Sequence, residues 1–325
     1  MGIGLGVIAG TALKVVAPRL AESMQSSIGL PGQTPQQQQL DPGRFEPRRE
    51  LADLSQRWQQ LAAAQKDLKA TAFLLVLDDG RYAQLAPDQP MPAASSIKTP
   101  ILVVALEDLD QGRVKWNDRL QLTKELVGGG AGWMATRPIG TRFPFHEAAT
   151  EMIRVSDNSA TNLVIQRLGG RSAVNARFQA MGLAATVINN WLPDLDGTNT
   201  TSARDLARSI ALVDTGESLS PRARDHFREI MGTSATDTLI PLGILRGLGK
   251  DAEKPDSELL SLGITAHNKT GDIGTAYADA ALIQLPSGQR AVAAFMVTGP
   301  FNDPRSADLI RAMAGAAAQT LVGRP

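Results

Sequence analysis

The chain has no cysteine among its 325 residues, which excludes disulfides, thiolate metal sites and a cysteine nucleophile together. It has only three histidines, His146, His226 and His267. None stands in HExxH or HxH spacing, so a zinc site or a histidine-based triad would need assembly from remote segments. Excess charge is absent as well. Lys plus Arg and Asp plus Glu number 33 each, which leaves no global field to draw in nucleic acid or an anionic membrane. Nor is there an apolar run of the about 20 residues that a spanning helix needs. Whatever chemistry the chain performs has to run without the usual base.

An apolar share of 43% is enough for a sizeable core. The length would hold two ordinary domains, or one larger α/β domain and a tail. Residues 1–17, MGIGLGVIAGTALKVVA, are apolar and glycine-rich, with Lys14 after the apolar run. They read as an export or membrane-association element, placing the protein in an exported or periplasmic setting, against the alternative of a plain apolar extension. Residues 31–46 are rich in proline and glutamine and have the composition of a flexible spacer. The parse is an apolar segment plus tether over 1–46 and a catalytic domain over 47–325.

From about Pro47 an amphipathic helix is expected, with Leu51, Leu54, Trp58, Leu61 and Leu68 on one stripe. Residues 71–77 read as a buried strand, and Asp79-Gly80 as a hairpin turn into a strand at 82–85. The run 101–106 is too apolar for a surface helix and is expected at the centre. Between about 118 and 225 the pattern is helical with hardly any strand, and Gly128, Gly129, Gly130 and Gly132 form a mobile loop with Trp133 at the edge of a cleft. Strands return over 263–269, 276–285 and 290–298, before a last helix from about Pro304. Two early strands and three late ones, joined by tight turns, combine into one five-stranded antiparallel sheet. The fold class is therefore α+β, the sheet flanked by the N- and C-terminal helices. Its parts are about 47–93 and 235–325, and an all-helical lobe of about 94–234 is inserted between them.

Chemistry enters at Ala94-Ser95-Ser96-Ile97-Lys98-Thr99-Pro100. A serine hydroxyl is a poor nucleophile until a neighbour takes its proton, and a neutral lysine amine can do so. Ser95 and Lys98, three apart, share a helix face, and a helix start offers N–H groups to an oxyanion. The tetrapeptide alone also arises by accident, and Thr99-Pro100 could begin a helix that leaves Ser95 outside it. Two further stretches bear on it: Ser156-Asp157-Asn158, which could equally be a helix cap, and Lys269-Thr270-Gly271-Asp272, which could equally be a strand running into a turn.

In that order, Ser-x-x-Lys, Ser-Asp-Asn and Lys-Thr-Gly form the set found in class A β-lactamases and penicillin-binding proteins. The chain resembles that family over roughly residues 47–322. The resemblance implies Ser95 as nucleophile, Lys98 as base with Lys269 helping to keep it deprotonated, and Ser156 as proton relay to the leaving nitrogen. It implies that Asn158 binds the substrate amide, that Lys269 and Thr270, in the turn with Gly271, bind its carboxylate, and that the Ser95 and Asp272 N–H groups form the oxyanion hole. Asn162 would pin the following active-site loop. No metal or organic cofactor is implied, and the partner is a small molecule, a β-lactam or a cell-wall peptide.

In that loop, Asn190-Trp191-Leu192-Pro193-Asp194-Leu195-Asp196-Gly197, the chain departs from the pattern. Leu192 stands where class A β-lactamases carry the glutamate that activates water, and Asp196 where they carry an asparagine. A leucine cannot take a proton. General-base help is worth about 10²- to 10⁴-fold, so the expectation is an acyl-enzyme that forms readily and clears slowly, unless Asp194 or Asp196 folds inward and substitutes. The alternatives are a D,D-peptidase-like enzyme acting on cell-wall peptides, or a non-hydrolytic penicilloyl receptor.

Overall fold

The computed structural model describes residues 45–216 and 219–323. The apolar segment 1–17 and, except for Phe45 and Glu46, the tether 31–46 lie outside the described residues. The chain runs β1 (Arg49–Glu50), α1 (Ala52–Ala63), β2 (Lys69–Val76), β3 (Arg81–Leu85), β4 (Met91–Pro92) and α2 (Lys98–Asp110). Next come β5 (Arg119–Gln121), β6 (Arg142–Pro144), α3 (Phe145–Arg154), α4 (Asn158–Arg167), α5 (Arg171–Ala180), β7 (Thr200–Thr201), α6 (Ala203–Asp214) and α7 (Pro221–Met231). It ends with α8 (Ile240–Gly247), α9 (Pro255–Ser261), β8 (Thr265–Asp272), β9 (Ala276–Gln284), β10 (Arg290–Thr298) and α10 (Pro304–Leu321).

Period-two alternation gives the sheet two apolar faces. In β2, Phe73 and Leu75 face one core while Ala72, Leu74 and Val76 face the other. The turn into β3 places Gly80 at φ +74°, a left-handed conformation that glycine takes without a side-chain clash. β10 pairs antiparallel with β2 from Ala291 opposite Val76 to Thr298 opposite Lys69, so early and late strands close into one sheet. Its order is β1-β3-β2-β10-β9-β8, and β3 to β8 are the five antiparallel strands expected.

The sixth strand is a departure. β1 lies parallel to β3, and the Leu51 N–H donates to the Tyr82 carbonyl at 2.6 Å. Residues 47–50, read above as the start of a helix, are drawn out to satisfy the open edge of β3, and α1 begins only at Ala52. Leu68, counted on that helix's stripe, lies beyond its end.

On one sheet face α1, α8 and α10 pack over Leu74, Ala293, Phe295 and Val297. Trp58 anchors this layer, edge-on to Phe295 at 5.4 Å, its indole N–H donating to the Met313 carbonyl at 2.9 Å. On the other face sit α2, whose residues 101–106 are all buried, and α6, against Phe73, Ala280, Val292 and Met296. α8 and α10 touch through glycines. A Cβ on Gly247 would stand 2.4 Å from the Gly315 carbonyl oxygen, and backbone cannot step aside as a side chain does. Gly247→Ala is therefore expected to lower stability by about 1–3 kcal/mol, read as a fall in Tm. An unchanged Tm would mean that the two helices part freely.

Candidate active site

Residues Ala94–Ile97 form one 3-10 turn that runs directly into α2, whose first residue is Lys98. Pro100 sits in the first turn of α2, where a missing N–H goes unmissed, and Ser95 is carried in the 3-10 turn ahead of it. Lys98 Nζ lies 3.0 Å from Ser95 Oγ. From the turn between α3 and α4 come Ser156, whose hydroxyl is 3.0 Å and carbonyl 2.7 Å from the same nitrogen, and Asn158, whose Oδ1 is at 2.8 Å.

Those four oxygens are not equivalent. The Ser156 carbonyl and Asn158 Oδ1 can only accept, and the orientation of the Asn158 amide is set by its own Nδ2 donating to the Gly129 carbonyl at 2.8 Å. A neutral amine has two N–H groups and one lone pair. With both N–H groups given to the two pure acceptors, the lone pair is left facing the hydroxyls of Ser95 and Ser156. Electrostatics act in the same direction. Lys98 has no exposed surface. Burial lowers its amine well below the ordinary lysine value, the Lys269 charge adds to this, and Asp157 opposes it.

Ser156 holds its position in the left-handed region, at φ +59°, which a non-glycine residue adopts only where the surroundings enforce it. The next residue, Asp157, is held from two sides. Its buried carboxylate caps α4 at the Ala160 N–H, 2.8 Å, and accepts the N–H groups of Trp133 and Met134 at 2.6 and 2.7 Å. The glycine loop is thus tied to the head of α4 instead of hanging free. Gly132 lies so close to Asp157 that a Cβ there would fall 2.2 Å from the carboxylate. Trp133, expected at the edge of the cleft, turns away and donates its indole N–H to Glu151 at 2.8 Å.

The third segment arrives on the edge strand β8. A Cβ on Gly271 would stand 2.9 Å from the Ser95 backbone nitrogen and 2.7 Å from that of Ser96, so only glycine lets the strand pass the head of the 3-10 turn this closely. Lys269 is fully buried and donates to the Thr270 carbonyl at 2.8 Å. Burial lowers its amine to about 8, against the pull of Asp279. Two residues here went unnoticed in the sequence. Asp279 on β9, a carboxyl that burial pushes up to about 7, takes hydrogen bonds from Asn268 and from the Ile240 N–H at the head of α8. Thr236, between α7 and α8, meets the Thr270 hydroxyl at 2.8 Å. Neither carries a local motif.

The loop after α5 forms the remaining wall. Asn162 holds both polar groups of the residue 192 peptide: its Oδ1 accepts the Leu192 N–H at 2.9 Å and its Nδ2 donates to the Leu192 carbonyl at 2.7 Å. Leu192 is 4% exposed, and with Ser95, Asn158, Asp194 and Asp272 it lines a cavity of about 250 Å³. Asp194 is folded inward, but its own loop occupies it. Oδ2 accepts the Asn199 N–H at 2.6 Å, and Oδ1 accepts the Thr198 hydroxyl at 2.8 Å. Asp196 is exposed.

Set beside known proteins, residues 53–321 match the model of the beta-lactamase enzyme family. The chain belongs to that family. Similar members include a beta-lactamase of Streptomyces albus G, 30% identical over 45% of this chain and 50% of that protein. Another is the beta-lactamase PSE-4 of Pseudomonas aeruginosa, 26% identical over 48% and 55%. The chain spans about half the length of these relatives. Among solved structures, PBP-A is 43% identical with a TM-score of 0.78, covering 85% of this chain and 98% of that one. An ancestral class A beta-lactamase, at 22% identity and a TM-score of 0.71 over 82% and 100%, shares the fold.

Within this beta-lactamase family framework the site's rigidity rests on Asp157. Asp157→Asn keeps the shape but turns one acceptor into a donor, leaving an N–H group opposed. The expected cost is about 1–3 kcal/mol, together with slower modification of Ser95 as the loop loosens. Equal Tm and equal modification rate would sink this account.

Proposed function

We propose that the protein is a β-lactamase-like serine hydrolase that forms an acyl-enzyme on Ser95, and that β-lactams are freed from it slowly. The observation that carries this reading is the Lys98 amine, buried and within 3.0 Å of both the Ser95 and the Ser156 hydroxyl. In the proposed step Ser95 Oγ bonds to the lactam carbonyl carbon while Lys98 takes its proton. The carbon–nitrogen bond then breaks, and the proton returns through Ser156 to the departing nitrogen. The N–H groups of Ser95 and Asp272 would hold the oxyanion, Lys269 and Thr270 the carboxylate, and Asn158 the amide. Water must then cleave the ester. The wall nearest that ester offers the Leu192 side chain, and the Asp194 carboxylate beside it is held by its own loop, so neither of these two loop residues is ready as a general base. Capture of a leucine-to-glutamate variant of PBP-A as an acyl-enzyme complex with penicillin G supports acylation in a similar chain.

A D,D-peptidase-like reaction on cell-wall peptides uses the same acylation groups and is kept as the natural activity to be tried alongside. Export, or association with a membrane through residues 1–17, belongs to the same proposal. Among the described residues no helix is long and apolar enough to cross a membrane. Fractionation of cells producing the full chain decides this point.

Intact mass of the protein after mixing with benzylpenicillin is expected to show a lasting adduct that Ser95→Ala abolishes. Rapid return to the free mass would mean that another base activates water. Leu192→Glu is expected to shorten the adduct's lifetime by about 10²-fold or more, and an unchanged lifetime counts against the role given to the leucine. The pH profile follows from the two lysines. Lys98 must be neutral and Lys269 charged, so the acylation rate should rise as Lys98 loses its proton and fall as Lys269 loses its own near pH 8. A rate flat from pH 6 to 10 would refute the assignment of base and anchor.

A further inference from the structure

The charges of the chain cancel as a whole, but not everywhere along it. Residues 115–142 carry five cations, Lys115, Arg119, Lys124, Arg137 and Arg142, against two carboxylates, Asp118 and Glu125. Asp118 is taken by Arg167 at 2.6 Å, and Glu125 turns back to its own backbone N–H and to the Thr123 hydroxyl. Among the described residues none of the five cations forms an ion pair. Arg137 lies over the Trp133 ring at 5.1 Å, and Arg142 reaches only the neutral Gln121 amide.

The pairing of β5 with β6 lays these charges out on one face. Arg119 stands opposite Pro144 and Gln121 opposite Arg142, so the two arginines are diagonal neighbours about 7–8 Å apart. Alternation along the strands turns both to solvent, while Leu120 and Phe143 beneath them are buried. Beyond the strands the Leu122 N–H donates to the Thr141 carbonyl at 2.9 Å and the Gly140 N–H to the Leu122 carbonyl at 2.8 Å. The residues between form one excursion whose legs start side by side. Lys124 is on the outgoing leg, and Arg137 and Ile139, the latter 59% exposed, are on the returning one. The far end of the same excursion is the glycine loop, where Gly130 and Ala131 line the cavity that holds Ser95. A basic face and one wall of the cavity thus belong to one piece of chain.

We propose that this ribbon is a docking surface for a cell-wall glycan, whose carboxylate-bearing peptide branches it holds beside the cavity. Arginine forks bind carboxylates through paired hydrogen bonds. Cations strung along a ribbon, instead of gathered round one point, fit a partner whose negative charges recur at intervals. A lipid surface calls for an apolar face that sinks into it, and here Ile139 and the less exposed Val127 are the large apolar side chains offered. The inference rests on the acyl-enzyme reading with a cell-wall peptide as natural substrate, and adds to it how the polymer is held.

Purified cell-wall sacculi freed of phosphate polymers, mixed with the full chain and spun down, test it. The bound fraction is expected to be high at low salt and to fall sharply in about 0.5 M salt. Arg119→Gln with Arg142→Gln should weaken binding about fivefold. Lys66→Gln with Lys254→Gln, which removes the same charge from exposed positions elsewhere, should bind as the unaltered chain does. No sedimentation, sedimentation indifferent to salt, or equal loss in the two double variants would each overturn the proposal. So would tighter capture by phosphatidylglycerol vesicles that the arginine variant loses. Ser95 acylation by benzylpenicillin, followed by intact mass, is expected at one rate in all three proteins, and a slower arginine variant would trace its weak docking to a disturbed glycine loop and overturn the proposal too. An adduct without binding through the ribbon removes the docking surface and leaves the acyl-enzyme reading standing; binding through the ribbon without any adduct does the reverse.

Discussion

A lysine amine with no access to water is the constraint on which the rest of this structure turns. Taken out of solvent, an ammonium costs several kcal/mol, and that cost is what draws the Lys98 amine well below the ordinary lysine value. That works only while Ser156 and Asn158 supply acceptors for two N–H groups, and these residues stand at the turn between α3 and α4, far from Lys98 in sequence. The heads of α2 and α4 are therefore drawn together by the same contacts that tune the amine. A buried lysine at the head of α2 is a local conflict between burial and charge, tolerated because the neighbouring segments were shaped around it.

Around that amine the three segments are held in different ways, each by one unusual residue. The 3-10 turn admits β8 because residue 271 has no side chain. Ser156 sits left-handed beside Asp157, whose carboxylate caps α4. The loop carrying Leu192 is gripped at its peptide by Asn162. A glycine, a left-handed serine and two buried polar side chains thus bring together atoms that are far apart in sequence.

Much of the fold could be read from local pattern. The apolar runs in residues 71–77 and 290–298, the Asp79-Gly80 turn and the apolar run 101–106 each specify their element without help from elsewhere. The site was legible to the extent that its residues sit in short spacings: Ser95 with Lys98, and Ser156 with Asn158. Contributions that exist only after folding were not. β1 forms because the edge of β3 is open, and nothing in Arg49-Glu50 announces it. Asp279 and Thr236 reach the Lys269 strand by pairing and by packing, from segments whose own sequence looks ordinary. The inward position of Asp194 was weighed from sequence, but that its oxygens would be consumed by Thr198 and Asn199 depended on how the shortened loop closes.

The grip of Asn162 on the residue 192 peptide has a consequence for how such a site changes over generations. Both hydrogen bonds go to main chain, so they can form whichever side chain stands there. Shape and reactivity are written in separate letters. A lineage could exchange a trap for a turnover enzyme, or the reverse, by altering one side chain, with the wall it hangs from already in place.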